Sequence, residues 1–107
     1  MPRRGTYVFS SNPRHVKLGE KVRDLLRTCT VIDLREPEER EGAPEWILAF
    51  ENVPSARWEE LAERDDELLL VCAGGVRSKT CLAMLEKMGR DNAHAWTKPV
   101  GDLAKWR

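Results

Sequence analysis

Short apolar runs alternate with helically spaced apolar positions along most of the chain. Residues 30–34 (T-V-I-D-L) and 68–72 (L-L-L-V-C) are almost continuously apolar, which is typical of strands buried on both faces of a sheet. Weaker signals predict further short strands at residues 7–9, near residues 52–53 and at residues 93–96. This alternation of strands and helices predicts an α/β fold with a mainly parallel central sheet and helices on both of its faces.

Apolar residues at intervals of three and four predict the helices between these strands. A first helix starts near residues 10–13, where small polar residues precede a proline. A short helix is predicted at residues 55–64 and a longer one at residues 77–88, with Gly89 as its stop. The apolar face of the longer helix is predicted to contain Cys81, Leu82, Leu85 and Met88. The charged residues 35–54 predict a long loop.

The length of 107 residues suits one domain over residues 1–107, with residues 1–29 as a lead-in and residues 30–107 as the core. Eighteen Lys and Arg residues balance eighteen Asp and Glu residues, so the basic excess of a nucleic-acid-binding protein is missing. The N-terminus becomes polar at once and has no apolar run of signal-peptide or membrane-span length. We therefore expect neither nucleic acid nor a membrane among its partners.

Three cysteines stand far apart, at positions 29, 72 and 81, and the only histidines are His15 and His94. None of these has the spacing of a zinc knuckle or a dithiol redox motif, so neither a disulfide framework nor a tetrahedral metal site is expected. Free thiols indicate a reducing interior, and we predict a cytoplasmic protein. Cys29 and Cys81 are expected to pack in the core, and His94 to be a packed or surface residue rather than a base.

The segment C-A-G-G-V-R-S at residues 72–78 joins the second apolar strand to the longer helix, and ligands of parallel sheets bind at such strand ends. Adjacent glycines allow backbone N–H groups to turn into one anion-binding concavity, and the helix directs its positive N-terminus there. A thiolate is stabilised in that field, so Cys72 is the predicted nucleophile rather than an inert buried cysteine. The predicted substrate-binding residues are Ala73, Gly74, Gly75, Val76, Arg77 and Ser78. Arg77 adds a fixed positive charge, with an ion pair to the acidic loop as the alternative role.

These motifs resemble the rhodanese domain of sulfurtransferases from residue 31 to residue 106. Residues 72–77 are similar to the family's active loop, V-I-D-L-R to its opening strand and Asp-x-Arg turn, and G-D-L-A-K-W to its closing segment. Trp46 stands where the family often has histidine, which affects the shape of that loop. The resemblance implies that Asp33 and Arg35 orient loops through structural ion pairs. The two are assigned here to opposite faces of the strand, and they are therefore not expected to pair with each other.

The resemblance implies sulfur transfer through a persulfide on Cys72. The donor would be a small anion such as thiosulfate or a protein persulfide, and the acceptor a thiol, possible acceptor proteins included, or cyanide; no metal or organic cofactor is needed. A cysteine-dependent phosphatase or arsenate reductase is one alternative, but those enzymes have one residue more between cysteine and arginine than the four found here. A sulfur-relay or interaction module without turnover is the other, but such relatives usually lose the loop cysteine.

Overall fold

The structure, a computed structural model, describes residues 14–16 and 21–107. The predicted strand at residues 7–9 and the helix start at residues 10–13 lie outside the described residues. The strands are β1 (His15–Val16), β2 (Thr30–Asp33), β3 (Glu51–Asn52), β4 (Leu68–Val71) and β5 (Ala93–Trp96). The α-helices are α1 (Lys21–Thr28), α2 (Glu45–Leu48), α3 (Glu59–Ala62) and α4 (Val76–Lys87). Short 3-10 helices span Pro37–Arg40, Ser55–Arg57 and Val100–Trp106.

The strands form one parallel sheet in the order β1-β5-β4-β2-β3. The chain leaves β2 towards one edge of the sheet, to β3, and leaves β4 towards the other, to β5. The crevice beyond the carboxyl ends of β2 and β4 is therefore a topological switch point, where ligands of open α/β sheets bind. The predicted parallel sheet is confirmed, and Cys72 lies at this crevice because it directly follows β4.

Helices cover the sheet on both faces. Successive side chains of β4 point to opposite sides of the sheet, and all of them are buried. On one face, Leu68 and Leu70 belong to a core with Leu61 of α3 and Leu82 of α4. On the other face, Leu69 and Val71 of β4 pack in a second core, whose further members include Val22, Ile47, Trp96 and Leu103. The predicted helices on both faces are thus confirmed. Among the described residues, no helix combines the length and apolar character needed to cross a membrane.

Two details differ from the sequence-based expectations. Met88, predicted on the buried face of α4, is 59% exposed, because it caps the helix and Gly89, at φ +85°, turns the chain away. Arg90 is buried instead, and its guanidinium donates to the carbonyl oxygens of Leu61 and Asp66. The predicted loop over residues 35–54 also contains two short helices, at Pro37–Arg40 and Glu45–Leu48, while β3 agrees with the short strand predicted near residues 52–53.

Candidate active site

Cys72 is fixed in position by the elements on either side of it. Its backbone carbonyl accepts a hydrogen bond from the amide of Val100 at 3.1 Å, and the preceding residue, Val71, accepts one from Leu34 at 2.9 Å. The Cys72 residue is only 1% exposed. The sulfur therefore has a defined place at the end of the central strand.

Two backbone amides donate hydrogen bonds to the Cys72 Sγ atom. The Gly75 nitrogen lies 3.1 Å from the sulfur and the Ser78 nitrogen 3.4 Å from it. Gly75 caps the N-terminus of α4 and Ser78 is the third residue of that helix. These amides belong to the first turn of a helix, where N–H groups have no partner within the helix. Both the direct hydrogen bonds and the helix dipole stabilise negative charge on the sulfur.

Gly75 is the glycine on which the loop depends. Its φ of +98° lies in the left-handed region, and an added Cβ would lie 2.4 Å from the carbonyl oxygen of Thr97. Gly74 has no left-handed φ, and a Cβ there would meet nothing within 4 Å. The sequence-based interpretation assigned the turn to both glycines, but only Gly75 requires the absence of a side chain. The close approach also shows that the segment after β5 forms one wall of the loop.

Ser78 connects the sulfur site to the end of β5. It is fully buried, and its Oγ lies 2.6 Å from the carbonyl oxygen of Trp96 and 3.0 Å from that of Gly75. The Cys72 Sγ lies 3.8 Å from the same hydroxyl oxygen. With its proton directed to a carbonyl, the hydroxyl accepts a weak hydrogen bond from the neutral thiol. Ser78 thus joins the loop, α4 and β5 around Cys72.

Arg77 is paired with the acidic segment through Glu39, and it also lies close enough to Cys72 to interact with it electrostatically. Both guanidinium NH groups donate to the two carboxylate oxygens of Glu39, at 2.7 and 2.8 Å. This bidentate pair lowers the pKa of Glu39 to about 2 and raises that of Arg77. Glu39 is further held by accepting a hydrogen bond from the Glu36 amide. The ion pair considered for Arg77 in the sequence is therefore present, and its contribution to substrate binding stays a prediction.

The remaining loop residues face solvent. Ala73, Gly74 and Val76 are exposed, and Val76 is 68% exposed. Lys79 in α4 and Lys98 after β5 are exposed as well. This exposed face, the mouth of the loop, therefore carries no charged side chain between Cys72 and Arg77.

Solved structures similar to this chain include rhodanese-related proteins. A rhodanese homologue from the extremely thermophilic bacterium Thermus thermophilus is 26% identical, with a TM-score of 0.60, covering 82% of this chain and 98% of that chain. The chain has the single-domain rhodanese fold. A rhodanese-related protein from Thermoplasma volcanium is 24% identical, with a TM-score of 0.67, covering 86% of this chain and 91% of that one.

A human single-domain sulfurtransferase shares the rhodanese fold at 18% identity, with a TM-score of 0.69, covering 88% of this chain and 97% of that chain. No protein-family model and no curated protein sequence matches the chain. The resemblance drawn from the loop and the opening motif is confirmed at the level of the fold.

A buried cluster of charged residues lies at the end of β2. One of its contacts differs from the sequence-based expectation. Arg35 donates from Nε to the Asp33 Oδ1 atom and from a terminal nitrogen to Oδ2, both at 3.0 Å, although the two were expected not to pair. The assignment to opposite faces was wrong, because residues two positions apart on a strand lie on the same face and can therefore meet. Arg40 also donates to Oδ2 of the fully buried Asp33, at 3.0 Å. Arg40 was missed in the sequence, where it stands as an isolated cation in an acidic run.

The other two cysteines have surroundings that differ from those of Cys72. Cys81 is 1% exposed in the core under α4, and burial raises its pKa to about 12, so it remains a neutral thiol. Cys29 is half-buried beside the second core, and burial raises its pKa as well. Both were expected to be packing residues, and for Cys81 the structure agrees fully.

Proposed function

We propose that this protein is a rhodanese-type sulfurtransferase in which Cys72 carries sulfur as a persulfide. The main support is the placement of Sγ at the end of β4, 3.1 and 3.4 Å from the amides of Gly75 and Ser78. A thiolate and the outer sulfur of a persulfide each bear negative charge that fixed amides stabilise. The likeness to rhodanese-related structures adds support at the level of the fold.

The proposed reaction has two displacement steps. The Cys72 thiolate attacks the outer sulfur of a donor, a sulfur–sulfur bond forms, and the donor's own sulfur–sulfur bond breaks. With thiosulfate the leaving group is sulfite, which takes the electron pair of the broken bond. An acceptor thiolate or cyanide then attacks the outer sulfur of the persulfide and regenerates the Cys72 thiolate. No net oxidation and no cofactor are involved.

The loop geometry favours sulfur transfer over the phosphatase alternative. A phosphatase loop must surround three phosphoryl oxygens as well as its nucleophile. Here the amides of Gly75 and Ser78 approach the sulfur atom itself, and four residues separate Cys72 from Arg77. Arg77, the residue that would bind a phosphoryl group, is bound to Glu39 through both of its terminal nitrogens.

The charges at the mouth favour a persulfide donor over thiosulfate, which is a dianion. The positive charge of Arg77 is balanced by Glu39 at hydrogen-bond distance, and the exposed Ala73 adds none. A dianion consequently finds little compensation there, whereas the exposed Ala73, Gly74 and Val76 leave room for a partner protein's cysteine persulfide. The proposed partners are thus a small sulfur-donor anion or a protein persulfide on the donor side and a thiol, including a protein thiol, on the acceptor side.

The decisive experiment is intact-mass analysis of the reduced protein after brief exposure to thiosulfate or polysulfide, followed by cyanide. We expect the mass to rise by one sulfur atom, peptide mapping to place that sulfur on Cys72, and cyanide to remove it as thiocyanate. Cys72→Ser should abolish uptake, with Cys29→Ser as the matched control that retains it. Absence of uptake by folded wild-type protein would instead favour an interaction module. Hydrolysis of an aryl phosphate that depends on Cys72 would favour the phosphatase.

Donor preference is tested with Ala73→Arg in the cyanide assay. The variant should have a lower KM for thiosulfate, with a larger benefit at low ionic strength, because exposed charges are screened by salt. Saturation of the wild type at micromolar thiosulfate, with no effect of the substitution, would make thiosulfate the favoured donor.

A further inference from the structure

A second group of reactive side chains lies at the opposite end of the central strands from Cys72. Cys29 immediately precedes β2, Glu67 immediately precedes β4, and His94 is the second residue of β5. The Cys29 sulfur, a Glu67 carboxylate oxygen and a His94 ring nitrogen all lie within 4.8 Å of one another. Nothing in the proposed sulfur-transfer reaction uses these residues.

The register of the sheet explains why they meet. Thr30 pairs with Leu68, and Leu69 pairs with His94, so the three residues occupy neighbouring positions on adjacent parallel strands. Two residues further along, the same face presents Val31, Leu69 and Trp96, all members of the second core. Because side chains alternate between faces, Cys29, Glu67 and His94 point to that same side. Spacing along the chain could not reveal this arrangement, since the residues are 38 and 27 positions apart.

The three groups differ in chemistry and in exposure. The Nε2 atom of His94 lies 3.5 Å from a Glu67 carboxylate oxygen, and the side chains are 24% and 56% exposed. Cys29 is half-buried, and burial followed by the negative charge of Glu67 raises its pKa, against a hydrogen bond with Thr28. When the thiol and the carboxylate are both ionised, a cation between them would balance their charge. The open side of the cluster, at Glu67, is accessible from solvent.

We propose that Cys29, Glu67 and His94 bind a zinc ion, with water in the fourth position. Sulfur, nitrogen and oxygen donors of these types are the usual zinc ligands, at about 2.0–2.3 Å from the metal in tetrahedral geometry. That geometry needs ligand atoms about 3.3–3.8 Å apart, so atoms that already lie within 4.8 Å of one another need to approach only a little further. Cys29 would lose its thiol proton to solvent, and no electrons are transferred.

The ion would join the beginnings of β2, β4 and β5, the three central strands of the sheet. Binding energy of a metal that prefers the folded state adds to stability. The site is separated from Cys72 by the length of β4, which ends immediately before Cys72. A failure of the zinc proposal would therefore leave the proposed sulfur transfer unaffected, and the reverse also holds.

The test uses metal-free Cys72→Ser protein, so that the active-loop thiol cannot supply a ligand, titrated with Co²⁺ alone. We expect one equivalent to bind with the absorption of tetrahedral cobalt and a sulfur-to-cobalt charge-transfer band, and Zn²⁺ to displace it. Cys29→Ser should remove the charge-transfer band. His94→Ala and Glu67→Gln should weaken binding by more than the roughly 10- to 100-fold that loss of an outer-shell partner costs.

Glu63→Gln is the matched control, because it removes an exposed carboxylate four residues before Glu67 and outside the cluster. Its Co²⁺ titration should equal that of the parent. Circular dichroism establishes whether each variant is folded. If Cys29→Ser does not fold, the Co²⁺ affinity of Glu67→Gln serves as the test instead. Lack of saturable binding at micromolar protein, or binding unchanged by the substitutions at Cys29 and His94, would overturn the proposal.

Discussion

Replacing the two adjacent glycines of the loop separately should give opposite results. In Gly75→Ala the new residue would have to keep φ at +98°, which costs an L-residue about 1–2 kcal/mol. Its Cβ would also lie 2.4 Å from the Thr97 carbonyl oxygen, and relieving such an overlap costs about 1–3 kcal/mol. The sum, about 2–5 kcal/mol, corresponds to a melting temperature about 8–20 °C lower. In Gly74→Ala, where space is open, the change should stay within about 0.5 kcal/mol.

The substitution at Gly75 should also impair sulfur transfer in the molecules that remain folded. Any movement away from Thr97 displaces the Gly75 amide from the Cys72 sulfur, and losing one such donor costs about 10²-fold in rate. The assays are thermal unfolding by circular dichroism and thiocyanate formation from thiosulfate and cyanide, at a temperature where both variants are folded. Equal melting temperatures and equal rates for the two variants would refute the assignment of the turn to Gly75.

Three further predictions concern charged residues. Glu39→Gln should raise kcat/KM for thiosulfate, because it leaves Arg77 without its carboxylate partner, and the gain should vanish in Glu39→Gln/Arg77→Ala; a cyanide assay that shows no gain would contradict this. Asp33→Asn should lower the free energy of unfolding in urea by about 3–5 kcal/mol, because two guanidinium groups lose a buried counter-charge. Asp24→Asn, at an exposed ion pair, is its control and should cost at most about 1 kcal/mol. The pKa of Glu39 falls from 4.5 to about 2 on folding, so its contribution to stability is present above pH 4.5 and is lost as the pH falls towards 2. The free energy of unfolding should therefore depend less on pH across that range in Glu39→Gln than in the wild type.

Local patterns in the sequence were sufficient for the sheet and for the position of the candidate nucleophile within it. The run at residues 68–72 is apolar at every position, and a run of that length is typical of a strand buried on both faces. A cysteine at the end of this run, followed by glycines and a helical pattern, is expected at the carboxyl end of a strand, just before a helix. These features depend on neighbours within a few residues, so they are readable without coordinates.

Contacts between distant segments were not readable in this way. The need for glycine at position 75 but not at 74 comes from the Thr97 carbonyl, which lies 22 residues further along the chain. The pairing of Arg77 with Glu39 joins residues 38 apart. The pairing of Asp33 with Arg35 is different, because it joins residues two positions apart on one face and was missed through a wrong assignment of faces.

The sequence by itself determined the fold class and the candidate nucleophile, because both follow from periodicity and from local backbone freedom. Tertiary structure alone decided which charges meet and which donors cluster. Parallel pairing of β2, β4 and β5 brings Cys29, Glu67 and His94 together at one end of the strands. At the other end, the segment that follows β5 packs against Gly75 of the loop. Strand register and crossover geometry set these distances, and neither is encoded in the spacing of residues along the chain.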